Sequence, residues 1–206
     1  MKVAIINYGM GNLASVKRAL EDIGADPFIA EHPGSLYDAH KIILPGVGAF
    51  SEGMERLRSH GWEKAIQDAV QTGKTFLGIC LGMQMLASRG EEGGETKGLN
   101  LIPGSVIRLD KVGCSLRIPH VGWNEVIYNK ESEIFSKIPN SSDFYFVHSF
   151  VFQMETNNNL LAVSPYDIDV TAVIQKDNVI GCQFHPEKSS KAGRQLLRNF
   201  LEIKSC

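Results

Sequence analysis

Thr75-Phe76-Leu77-Gly78-Ile79-Cys80-Leu81-Gly82-Met83-Gln84 decides the fold of this chain. Residues 75–79 are apolar without alternation and only strand-sized, the pattern of a parallel strand covered on both faces. They run directly into a short helical segment, so Cys80 stands at a strand-to-helix turn. Glycines two residues to either side complete G-x-C-x-G, the thiol counterpart of a nucleophile elbow. A side chain pushed out of so tight a turn has a strained backbone, and Gly78 and Gly82 leave the room it needs. The helix that follows points its N-terminus at the sulfur and favours the charged, attacking form. The backbone N–H of Leu81 then faces the place where an oxyanion would develop. The same spacing also suits a buried cysteine between two packing glycines, and residues far away in the chain decide between the two.

Upstream, short β-rich runs alternate with helical patterns. Residues 3–7 read as a strand. Asn12 reads as an N-cap before Leu13, Val16, Leu20 and Ile23 at helical spacing, and Gly24 ends that segment. Strands follow at residues 27–30 and 41–45, then helical segments through 54–57 and 66–70 that Gly61 interrupts. Such alternation predicts an open, mostly parallel α/β sheet flanked by helices. Downstream the pattern changes to β-like runs at residues 101–109, 124–128, 144–152, 160–163, 170–175 and 179–184, with a hairpin turn at Lys176-Asp177-Asn178. A last helix begins near Ser190, with Ala192, Leu196, Phe200 and Ile203 on one face. No repeat or linker interrupts the chain, so residues 1–206 read as a single domain whose later strands extend the sheet.

With 206 residues, 43% hydrophobic and 21% charged, the chain has the composition of a globular protein. A formal net charge of −2 gives no electrostatic footing for nucleic acid. Apolar runs are too short to span a bilayer, and Lys2 leads into a strand with no leader-like apolar region. The expectation is a cytoplasmic protein that binds neither membrane nor nucleic acid. The four cysteines have no C-x-x-C spacing, which speaks against a zinc cluster. Cys182 reads as a core residue, and Cys114 and Cys206 as incidental residues in polar surroundings.

The decisive distant segment is Gly181-Cys182-Gln183-Phe184-His185-Pro186-Glu187. It puts a histidine at the end of an apolar strand, with a carboxylate two residues on, the spacing that shares a face in extended chain. Pro186 stiffens that spacing. A carboxylate on one ring nitrogen fixes the tautomer and leaves the other nitrogen to take a thiol proton. The remaining histidines (32, 40, 60, 120 and 148) lack both the strand-end setting and the H-x-E spacing. The expectation is a Cys80–His185–Glu187 triad.

These residues resemble those of the class I, triad-type glutamine amidotransferases: residues 78–84 for the nucleophile and His185-Pro186-Glu187 for its partners. More narrowly, the chain is similar to the glutaminase subunits of imidazole glycerol phosphate synthases. That likeness is carried by Tyr8-Gly9-Met10-Gly11-Asn12-Leu13, Leu44-Pro45-Gly46-Val47-Gly48, Pro119-His120-Val121-Gly122-Trp123-Asn124 and Tyr145-Phe146-Val147-His148-Ser149. The resemblance implies hydrolysis of L-glutamine to glutamate and ammonia, without metal or organic cofactor. It implies an oxyanion hole from Val47 and Gly48 beside Leu81, on a strand whose peptide reorients for full activity. It also implies a glutamine pocket of Gln84 with the backbone of His148, Ser149 and Phe150, where a tyrosine is also common. Asn12, His120 and Trp123 would meet a cyclase subunit, a (β/α)8 barrel that receives ammonia through an internal passage.

Two other readings stand beside this one. Gly9-Met10-Gly11-Asn12-Leu13-Ala14 follows the first strand and gives G-x-G-x-x-A, with Glu31 twenty residues after Gly11, a dinucleotide fingerprint on paper. It would leave Cys80, His185 and Glu187 unexplained. A paralogue supplying ammonia to a surface-polysaccharide sugar would carry the same triad. The acidic residues Glu91, Glu92 and Glu95 read as a solvated loop face.

Overall fold

Strand β1 (Lys2–Ile6) shows how the sheet is covered. Val3 and Ile5 enter one core with Val16 and Leu20 of helix α1 (Leu13–Glu21), while Ala4 and Ile6 enter a second core on the opposite face. All four strand residues are fully buried, which is why the strand carries no alternation. The computed structural model describes residues 1–128 and 130–204; Cys206, one of the two cysteines read as incidental, lies outside them.

The first half continues as β2 (Asp26–Ala30), β3 (Lys41–Gly46), α2 (Phe50–Ser59), α3 (Trp62–Gln71), β4 (Thr75–Cys80) and the single turn α4 (Leu81–Gln84). The second half supplies β5 (Arg89–Gly90), β6 (Thr96–Lys97), β7 (Gly104–Arg108), β8 (His120–Tyr128), β9 (Ser142–His148), β10 (Phe150–Met154), β11 (Leu160–Tyr166), β12 (Ile168–Lys176), β13 (Val179–Cys182) and α5 (Ser190–Glu202). Nine strands form one sheet in the order β2-β1-β3-β4-β13-β12-β11-β8-β9. Its first five are mutually parallel and the rest join antiparallel. The expected α/β sheet with added strands is therefore present, and the late strand β13 is the one that pairs with β4. Helices α1 and α5 cover one face; α2, α3 and a second, four-stranded sheet in the order β10-β7-β5-β6 cover the other.

Three expectations need correction. Residues 144–152 are not one strand: the run breaks at Ser149, β9 staying in the large sheet while β10 joins the small one. Both pieces are apolar because each faces a core, so periodicity alone cannot reveal the change of sheet. The strand predicted to 184 stops at Cys182. Cys114 does not lie in polar surroundings; it is 5% exposed and packs with Leu109, Val151 and Val170. Elsewhere the hairpin turn has Asp177 at φ 51°, and Gly61 ends α2 and starts α3 in the left-handed conformation. Asn12 caps α1 as predicted, its side chain accepting from the Ser15 N–H at 3.2 Å.

Candidate active site

Strands β3, β4 and β13 are parallel neighbours, so their carboxyl ends come out together at one edge of the sheet, the usual place for a site in this architecture. Register puts Gly46 opposite Cys80, at the ends of β3 and β4. Cys80 has φ 54° and ψ −111°, a conformation that only enforced geometry keeps in a residue with a side chain. The flanking glycines enforce it. A Cβ on Gly82 would stand 1.8 Å from the Leu44 carbonyl oxygen, and one on Gly78 would stand 2.6 Å from the Gly82 carbonyl oxygen. Any side chain at either position would push the turn apart.

Beyond β13 the chain is held by single backbone bonds. Gln183 N–H donates to the Ala172 carbonyl and His185 N–H to the Tyr145 carbonyl, both at 2.9 Å. His185 is extended (φ −100°, ψ 95°), and a 3-10 turn over Pro186–Lys188 follows. The turn, rather than a continuing strand face, brings Glu187 back to the ring. Glu187 Oε1 lies 2.8 Å from His185 Nδ1, with both side chains nearly excluded from water. The Ser189 hydroxyl locks the segment, donating to the His185 carbonyl at 2.6 Å and accepting from the Tyr145 N–H at 3.0 Å.

With Nδ1 taken by the carboxylate, His185 turns Nε2 to the nucleophile. That nitrogen is buried and makes no hydrogen bond of ordinary geometry. Burial acts to lower the ring's pKa, but the Cys80 sulfur and Glu187 outweigh it and raise the value to about 9. The arrangement therefore favours an imidazolium beside the sulfur at neutral pH.

Cys80, His185, Val47, Gly48, Leu81, Gln84, His148, Ser149 and Phe150 all line one cavity of about 490 Å³, together with Glu92 and Pro119. The residues predicted for nucleophile, base, oxyanion hole and glutamine pocket are thus brought together. Val47 is 44% exposed at the rim. Gln84 is 5% exposed, and its amide nitrogen donates to the Phe150 carbonyl and to Gln183 Oε1, each at 3.1 Å.

The predicted partner-facing residues divide. Asn12 is exposed and Trp123 is 54% exposed. His120 is only 3% exposed, stacked between Phe146 and Tyr166, and so is an internal residue of this chain rather than a surface one. The residues of the dinucleotide fingerprint are engaged within the chain, which does not favour that reading. The Arg56 guanidinium fills the space beside Gly9, 2.8 Å from where a Cβ would stand, and Glu31 is bonded to Asn7 at 2.8 Å.

Several residues escaped the sequence reading. Glu92 does not sit on a solvated face: it reaches the cavity and accepts from the Phe50 N–H at 2.8 Å, capping α2. His148, whose backbone the resemblance placed in the glutamine pocket, ends β9 at the cavity wall, so it has the strand-end setting that the reading denied it. Gln183, fully buried, aims its amide at the Cys80 sulfur at 3.7 Å. Its place one residue after β13 and two before His185 was the available signal. The Tyr8 hydroxyl is buried without a partner against Gly46, where a Cβ would lie 2.4 Å away; burial and the Cys80 sulfur push its pKa up.

Comparison with known proteins gives matches over nearly the whole chain. The family profile "Glutamine amidotransferase class-I" matches residues 4–203. An imidazole glycerol phosphate synthase subunit HisH of Moorella thermoacetica is 43% identical over 201 residues, 98% of this chain and 94% of the relative. The subunit of the same name from Bacillus subtilis is 43% identical over 204 residues, 98% and 96% of the two chains. Among solved structures, PurLQS of Thermotoga maritima matches with a TM-score of 0.76 at 20% identity, covering 98% of this chain and 97% of that one. At that identity the likeness concerns the fold.

Proposed function

The chain belongs to the class-I glutamine amidotransferase family, and from that premise we propose how its residues divide the work. It is a glutaminase subunit of an imidazole glycerol phosphate synthase, acting in histidine biosynthesis. Relatives of that name are 43–46% identical and span 96–98% of the chain, which favours this acceptor over a surface-polysaccharide sugar.

Glutamine enters the cavity with its side-chain amide at Cys80. The Gln84 amide nitrogen is committed within the protein, so its carbonyl oxygen is the group offered to the substrate's amino-acid head. The Glu92 carboxylate at the wall suits the substrate ammonium. The thiolate attacks the amide carbon, and the N–H groups of Val47, Gly48 and Leu81 meet the oxyanion. His185 then gives its Nε2 proton to the leaving nitrogen, ammonia departs, and a thioester remains. Water loses a proton to the now neutral ring, attacks the thioester and releases glutamate, restoring the sulfur. Glu187 holds the ring in one orientation throughout.

The single observation that carries this reading is the gathering of Cys80, His185, Val47 and Gln84 around one cavity. The exposed apolar residues Val47, Val121 and Trp123 suit docking of the synthase partner, a (β/α)8 barrel, and Asn12, also exposed, is expected to meet it. Residues 1–206 act as one domain. None of the described helices is long and apolar enough to cross a membrane, in keeping with work in the cytoplasm.

Cys80→Ala tests the reading in the complex. Glutamine-dependent synthesis is expected to fall at least about 10⁴-fold, while added ammonium still supports the partner. Continued glutamine hydrolysis by the variant would remove Cys80 from the chemistry.

A further inference from the structure

A chain of hydrogen bonds runs from strand β8 to the nucleophile, and the direction of each bond in it is forced. The Phe150 carbonyl only accepts, so His148 Nδ1, 2.9 Å away, carries a hydrogen. Burial, reinforced by His120 and His185, lowers the His148 pKa to about 3, so the ring is neutral and its Nε2 is bare. That nitrogen therefore accepts from His120 Nδ1 at 3.0 Å. Burial lowers the His120 pKa to about 4, which leaves its own Nε2 to accept from Asn124 Nδ2 at 3.4 Å. The second hydrogen of that amide goes to the Pro165 carbonyl at 2.7 Å.

Polarity is equally fixed on the other side of the Phe150 carbonyl. Gln84 Nε2 gives one hydrogen to that carbonyl and one to Gln183 Oε1. This turns the Gln183 amide so that its nitrogen faces Cys80 Sγ at 3.7 Å. The chain contains no rotatable hydroxyl and admits no second tautomer. His120, His148, Gln84 and Gln183 are each at most 6% exposed, so loss of one bond leaves its neighbour unpaired where water cannot replace it.

We propose that this chain of bonds is a strut that fixes the Cys80 sulfur relative to strand β8, with His120, His148 and Gln183 as positioning residues for amide hydrolysis. It conveys place rather than protons, because its amide links hold their hydrogens. Gln183 supplies a donor to a sulfur that carries charge during the reaction, and the aim of that donor is set four links away. The far end lies in the strand that presents Val121 and Trp123, 55% and 54% exposed. A partner docked on that strand therefore bears on the position of the nucleophile. The inference deepens the glutaminase reading and rests on it.

Glutamine hydrolysis by the complex with the synthase subunit provides the test. His120→Phe keeps a ring in the stack and removes both of its hydrogen bonds; Gln183→Leu removes the donor to sulfur. Each is expected to lower kcat about tenfold with KM within about twofold. The double variant is expected to be no slower than the slower single one, since both break one strut. Penalties that multiply in the double variant, or an unchanged kcat in His120→Phe, would overturn the proposal. His120→Gln restores a donor toward His148 and is expected to regain part of the rate; no regain would reduce the effect to packing. Should a variant fail to fold, imidazole ¹⁵N shifts of the wild-type complex decide the matter. Both rings must be neutral with hydrogen on Nδ1, and an Nε2–H tautomer in either would break the chain. An inactive Cys80→Ala beside an active wild type keeps the glutaminase reading apart from the strut, because that pair tests only the former.

Discussion

The turn at Cys80 and the segment at His185 deliver their side chains to one cavity by different physical means. Around Cys80 the backbone is forced. Its φ is 54°, and the glycines that permit this lie against carbonyl oxygens of β3 and α4 so closely that no Cβ fits. Around His185 the backbone is relaxed and extended. There the position is set by polar contacts: an N–H to Tyr145, a carbonyl to Ser189 and a ring nitrogen to Glu187. The backbone that carries the nucleophile is thus placed by shape, and the base by hydrogen bonds and charge. The first region should be sensitive to added volume or lost backbone donors more than to loss of a charged partner. The second should show the reverse.

Of the changes that bear on this contrast, the largest effect is expected where the elbow meets the oxyanion. Val47→Pro deletes one backbone N–H at the cavity rim, and loss of one such donor costs about 10²–10³ in turnover. Val47→Ala keeps the N–H and is expected to hydrolyse glutamine at close to the wild-type rate. Equal losses in both variants would show that the Val47 side chain, and not the peptide, matters.

Next comes steric placement. Gly82→Ala inserts a methyl 1.8 Å from the Leu44 carbonyl oxygen, against backbone that cannot turn aside, and is expected to destabilise the fold by about 3 kcal/mol. Urea unfolding checks this through the midpoint. An unchanged midpoint would mean that the elbow is not packed as tightly as described.

The smallest effect is the pH dependence at His185. Its folded pKa, about 9, is raised above the ordinary 6.5. The stabilisation it contributes is fully present below about pH 6.5 and is lost as pH rises through about 9. Melting curves of wild type and Glu187→Gln should therefore differ by a few degrees, on the order of 2–4 °C per kcal/mol, at pH 6 and converge by pH 10. A gap that stays unchanged from pH 6 to pH 10 would mean that the ring is already neutral at pH 6 in the folded protein, and the contrast between the two regions would fail.

The two regions also differ in what their sequence discloses. The elbow is local: Gly78, Cys80 and Gly82 lie within five residues, and the strain is visible in the glycine spacing itself. Much of the parallel half of the sheet was legible for a similar reason, since β1, β3 and β4 each lead into helix. The base segment gave its triad partner through H-x-E spacing, but not the 3-10 turn that actually brings Glu187 to the ring. Contacts made across the sheet were least legible. Gln183 reaches Cys80 over 103 positions of sequence, and Glu92 reaches the cavity from a run of charges that looks solvated. The change of sheet at Ser149 was hidden because β9 and β10 are equally apolar. The pairing and burial of His120 and His148 were hidden as well, since they depend on Phe146 and Tyr166 around the pair.

The most direct test of placement by convergence is covalent capture. The complex would be incubated with a glutamine analogue carrying a diazoketone in place of the amide, and the modified residue located by peptide mass spectrometry. A single adduct on Cys80, formed in wild type and lost or strongly slowed in His185→Ala, is expected if sulfur and imidazole act together. An adduct on Cys114 or Cys182, or capture at Cys80 that proceeds equally well without His185, would contradict it.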